Sequence, residues 1–201
     1  MCWNAEVSLK SFVVGAAAIV FGAVHGMSAP VLLFCASIVL MQLVEYFTWT
    51  HLEDLVANRR AAYAASALLS LQPIASLLTI HTPSIRNALL TAYILFGILD
   101  HFTQPKEEAE KRDYSMSKAP NGHLQWNWLS PLTPRRMLSL AVYFVFLLVP
   151  LIINKHFELL VLALGTLGIS AYTYLSQNTW GSMWCWIVNL IVLWVVGKNV
   201  F

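Results

Sequence analysis

Few residues in this chain could do chemistry, and the first is Glu45. It stands in MQLVEYFTW, residues 41–49, inside a stretch that is otherwise almost all apolar. Gln42, Glu45 and Trp49 are spaced i, i+3 and i+7, so a helix puts them on one face. A carboxylate at the centre of an apolar span costs ~2.5–3.5 kcal/mol on insertion scales. Glu45 lies about 6 Å from the span centre near Met41, at 1.5 Å per residue. It is tolerated there if it faces the interior of a helix bundle, has a partner or holds a proton.

Other apolar stretches supply partners. Gln72 sits beside Pro73, whose missing N–H leaves the carbonyl of Leu69 free to accept from elsewhere. Asn189 lies in the middle of the last apolar stretch, and Asn178 precedes it. Asp100 and His101 end another. Adjacent residues on a helix do not face each other, so this acid–base pair needs two different partners. NTWGSMWCWIVN, residues 178–189, puts Trp180 and Trp184 four apart on one face.

Three readings of these residues follow. Gln42, Glu45, Gln72 and Asn189 can be a structural network joining helices, each bond worth ~0.6–2 kcal/mol. They can be a substrate or ion site in which Glu45 bears the charge or the proton. Or Glu45, Asp100 and His101 can do catalysis on a lipid head group. The tryptophans read as a membrane-interface anchor. A sharper reading joins Trp180, Trp184 and Trp186 with Trp49 and Glu45 as an aromatic cage for an organic cation.

These residues must be positioned by membrane helices. The chain of 201 residues is 58% apolar and 11% charged, against about 25% charged in a soluble domain. Apolar stretches recur at close to the ~20 residues that cross a bilayer core. Lipid offers the backbone no hydrogen bonds, and the runs lack the alternation of a membrane barrel, so they are helices. Seven spans are expected, at 5–24, 30–52, 61–81, 84–102, 135–153, 156–175 and 182–200. MCWNAEVSLK makes a poor signal peptide, because Glu6 spoils the basic region, so the first stretch counts as a span. Links such as GMSA and HTPS are short and force an antiparallel, up-down, all-α bundle in one transmembrane domain.

The exception is the connection 103–134. Its first half, KEEAEKRDY, reads as a solvated helical turn. Its second half, NGHLQWNWLSPLTP, holds Trp126 and Trp128, expected at headgroup level. One side of the membrane collects nine basic residues (Lys10, Arg59, Arg60, Lys106, Lys111, Arg112, Lys118, Arg135, Arg136), and the other three (Arg86, Lys155, Lys198). That bias puts the N-terminus and the long connection in the cytoplasm and the C-terminus opposite. Glu45, Asp100, His101 and Asn178 then share the cytoplasmic half, where a pocket open to the cytoplasm is expected. Small residues mark close helix approaches at Gly22 and Gly26, at Ala61, Ala65 and Ser66, and at Gly165 and Gly168.

A net charge of +2 gives no reason to expect nucleic acid as a partner. Cys35 and Cys185 lie in apolar spans, so with Cys2 they imply no disulfide framework. No H-x-x-x-H, H-E-x-x-H, C-x-x-C, G-x-S-x-G or phosphate-loop pattern occurs, so no metal, cofactor or catalytic set is assigned.

MCWNAEVSL, QLVEYFTW, LQPIASL and GSMWCWIVN resemble a family of small, uncharacterised multi-span membrane proteins of large DNA viruses and some unicellular eukaryotes. The resemblance covers most of the chain and implies that the four motifs share one site or one core. It carries no activity. Seven spans are also similar to the ceramidase-like membrane hydrolases, but their histidine pair in the last span has no counterpart here.

The expectation is a channel or transporter-like protein for a proton, a small cation or a small amine. The alternatives are a lipid-directed membrane enzyme and a structural or assembly protein. The bilayer and a small ion or molecule are the partners expected, and association with further copies stays open.

Overall fold

Local signals set where the helices start. Asn4 Oδ1 accepts from the Val7 N–H at 2.9 Å and opens α1, Ala5–Val24. Gly26, at φ +81°, turns the chain into α2, Ala29–Thr50, which carries Pro30 in its first turn. Asp54 caps α3, Leu55–Leu77, accepting from Val56 and Ala57. The Ala57 and then the Val56 N–H hold its carboxyl below the usual range. α4 is Pro83–Thr103, α5 is Pro134–Ile153, α6 is Phe157–Tyr174 and α7 is Trp180–Val200. This computed structural model describes residues 3–105, 110 and 112–200.

Among the described residues the fold is thus seven long helices plus one small ribbon. Five helices are long and apolar enough to cross a membrane: α1, α2, α5, α6 and α7. α3 and α4 have spanning length, 23 and 21 residues, but bring Arg59 and Arg60, or Arg86 and Asp100, with them. α3 begins six residues before the expected span, because Asp54 offers its cap earlier than the hydropathy rises.

Successive helices run up and down. α2 packs against α1, α3 and α7, and α7 packs against α1, α2 and α6. α5 lies on α3, and α4 lies outside, on α3 and α5, with no buried residue. Gly15 sets the α1–α2 distance: a Cβ there would come within 2.7 Å of Val39. The expected close approaches are only partly made. Ala65 is fully buried, whereas Gly26 is a turn residue and Gly165 and Gly168 face open space.

Two apolar cores divide the bundle along its length. One gathers Cys35, Ile38, Val39, Leu147, Trp184 and Val192. The other gathers Met41, Ala62, Ala65, Trp126, Trp128 and Cys185. The second exists because the long connection folds back onto the helices. Its β1, Met116–Lys118, pairs antiparallel with β2, Leu124–Trp126, around Gly122 at φ +82°. Residues 106–109 and 111, with most of the solvated turn expected there, lie outside the described residues.

Candidate functional site

The hairpin is a cap on the bundle end formed by the C-termini of α2, α4 and α6 and the N-termini of α1, α3, α5 and α7. Asn58 of α3 grips its backbone, donating from Nδ2 to the Met116 carbonyl at 2.9 Å and accepting from the Met116 N–H at 2.8 Å. Ser182 Oγ donates to the Leu124 carbonyl at 2.6 Å. Trp126 stacks on Trp128 at 5.6 Å and lies over Gly181, where an added Cβ would meet its ring at 3.1 Å. Both indoles, expected at headgroup level, are buried inside the cap. His123 sits between Trp3 and Tyr174, and partial burial holds its imidazole below the ordinary value.

Beneath the cap lies the polar cluster. Glu45 and Gln42 are wholly buried, and Gln42 Nε2 donates to Glu45 Oε2 at 3.1 Å. Cys185 of α7 is buried and lines the same space as Gln72 of α3. The Tyr143 hydroxyl donates to Gln72 Oε1 at 2.5 Å, and Gln72 Nε2 donates to the Ser37 carbonyl at 3.1 Å. Ser76, one turn on, donates to the Leu147 carbonyl at 2.7 Å. Gln42 and Glu45 thus pair within α2, while Tyr143 and Gln72 tie α5 and α3 to the α2 backbone at Ser37.

A cavity of about 500 Å³ runs between α2, α3, α5, α6 and α7. Its inner end touches Gln72, Trp184 and Cys185, and its rim is the exposed Lys155, His156, Glu158 and Lys198 at the end away from the cap. Cys185 and Glu45 each lie five residues from the capped end of their helices, so the cavity reaches the depth of the carboxyl. The expected opening on the side of the long connection is covered by the hairpin. The cavity opens at the other end.

The remaining expected site residues are dispersed. Asn189 donates to the Cys185 carbonyl at 2.8 Å and faces α1, lining a separate groove of about 190 Å³ with Lys10, Ser11 and Trp186. Its Oδ1 has no hydrogen-bond partner among the described residues. Trp184 lines the cavity, donates to Thr166 at 3.3 Å and meets Phe144 edge-on. Trp49 packs in the other core, so the two tryptophans are not faces of one cage. Asp100 is held by Arg135 at 2.9 Å, and His101 is exposed beside Phe102. Asn178, at φ +54°, shapes the turn into α7. Among the described residues no group of three or more His, Cys, Asp or Glu side chains converges for a metal.

Sequence reasoning missed Tyr143, Cys185, Asn58 and the hairpin. The signal for the hairpin was present: Asn121-Gly122, a strong two-residue hairpin signature, is flanked by alternating apolar residues. Nothing marked Tyr143, one aromatic among many in an apolar run.

Fold and site define a helical protein with several helices fit to cross a membrane, a buried carboxyl and a cavity that reaches the same depth from one end. No family model, curated protein or solved structure matches the chain.

Proposed function

We propose that the protein is a transporter-like membrane protein. All seven helices cross the bilayer, and a proton, small cation or small amine reaches the Glu45 cluster from the open end. One observation carries this reading. A cavity open at one end extends to the depth of a fully buried carboxyl, and a folded cap closes the other end. A site accessible from one side only is what alternating access requires of each of its states. Glu45 is the charge-balancing or proton-carrying group. Gln42 orients it, and Gln72, held by Tyr143, lines the approach. The basic residues gathered at the capped end favour a cytoplasmic cap.

Flux into liposomes tests the proposal. Purified protein should carry protons or methylammonium, and Glu45→Gln should reduce that flux at least about tenfold, the equivalent of ~1.4 kcal/mol. Unchanged flux of every candidate ion in Glu45→Gln would remove the transport role of that residue.

A further inference from the structure

We infer that the outer part of the cavity seats an anionic single-chain amphiphile from the membrane, its acyl chain in the shaft and its phosphate head at Lys155, beside the Lys198–Glu158 pair. This goes beyond the transport reading, which rests on the inner polar cluster, and it stands on different residues.

The walls favour a chain. Phe34, Ile38, Leu148, Leu151, Val188 and Val192 line the shaft between rim and floor. A volume of about 500 Å³ suits one ligand of modest size. A hydrated ion gains nothing from these walls, whereas an acyl chain leaves water for them. A lipid tail needs no aqueous route to reach a cavity between membrane helices.

The rim favours an anion. Its charged groups are Lys155 and Lys198 against Glu158, two positive and one negative, with His81 and His156 beside them. Glu158 pairs with Lys198 at 2.5 Å, which leaves the Lys155 charge over. The first turn of α6, residues 157–159, also lines the mouth, and helix N-termini attract anions.

Lys155 itself adds the second argument. It closes α5 in the left-handed conformation, φ +61°. Its N–H donates to the Ile152 carbonyl at 3.1 Å, and the His156 N–H donates to the Leu151 carbonyl at 2.7 Å. This is the helix-ending pattern in which glycine is favoured, because a side chain there is strained. Glycine would serve the turn better. What lysine adds is an ammonium at the mouth.

A chain seated here occupies the route to Gln72 and Cys185, so the amphiphile acts as a plug. The test uses full-length protein in phosphatidylcholine nanodiscs. Palmitoyl lysophosphatidate, palmitoyl lysophosphatidylcholine and inorganic phosphate are titrated by calorimetry. Lysophosphatidate should bind saturably and about fivefold more tightly than the choline lipid, as expected for the one unpaired lysine at ~1 kcal/mol. Inorganic phosphate should not bind. Lys155→Gly should keep or raise the melting temperature while weakening lysophosphatidate about fivefold. Ala163→Phe, which fills the shaft, should remove saturable binding. Equal affinity for the two head groups, full competition by inorganic phosphate, or undiminished binding to Lys155→Gly would each overturn the proposal. Should Ala163→Phe fail to fold, the Lys155→Gly pair of readouts decides. Flux lost in Glu45→Gln with no lysophosphatidate binding would sink this inference and leave transport standing. The reverse result would do the opposite.

Discussion

Tyr143 is the residue on which the buried cluster hinges. Its hydroxyl is the hydrogen-bond donor to Gln72 Oε1, and Gln72 in turn reaches the α2 backbone at Ser37. Tyr143→Phe strands a buried acceptor, which costs ~1–3 kcal/mol. Unfolding by denaturing detergent should show a loss of that size, and an unchanged midpoint would mean that Gln72 finds another donor. At this scale the sequence was half legible. Gln42 and Glu45 are joined as their i, i+3 spacing says, because that bond lies within one helix. Asn189 faces α1 instead of Glu45, because α7 is apolar all round and offers no stripe from which to read its orientation. Asp100 looked available for chemistry, but Arg135, distant in sequence, holds it.

The cap is the element that decides access. Asn58 makes two hydrogen bonds to the Met116 backbone, and Gly181 leaves just enough room for Trp126. Asn58→Ala should loosen the hairpin by ~1–3 kcal/mol, and Gly181→Leu should displace the Trp126 ring outright. Both should raise protease sensitivity between Met116 and Trp126, with the helices intact by circular dichroism. Cap docking should also depend on pH. His123 is held below its unfolded value near 6.5, so the folded cap prefers the neutral ring. That contribution is complete above about pH 6.5 and is lost as pH falls through it toward the folded value. Acidification from about pH 7.5 to about 5.5 should shift the cap tryptophan emission to the red, and His123→Phe should flatten the response. The connection was read as solvated and interfacial because its turn residues and charges outnumber its apolar ones. Its inward side chains, Met116, Ala119, Leu124, Trp126 and Trp128, are too few for a hydropathy average to register, yet each is buried.

The whole molecule surrounds its two most buried spanning-length apolar helices, α2 and α7, with more exposed ones. α4 has no buried residue; it is held by the Arg135 clamp and by the Tyr93 hydroxyl on the Ser70 carbonyl at 3.0 Å. The seven helices were legible because apolar runs of spanning length, separated by Pro, Gly and short links, leave little else to form. Five are apolar enough to cross by themselves. α3 and α4 have the length but not the apolarity, since each carries charged residues that lower its hydropathy. The direction of the cavity was not legible at all, since it depends on how a 32-residue connection folds. Cys185 reports on it directly. With Cys2→Ser and Cys35→Ser in oriented phosphatidylcholine vesicles free of anionic lysolipid, a small membrane-impermeant thiosulfonate should modify Cys185 from the open face and leave it untouched from the capped face. Modification from the capped face, with protection on the open one, would contradict the account.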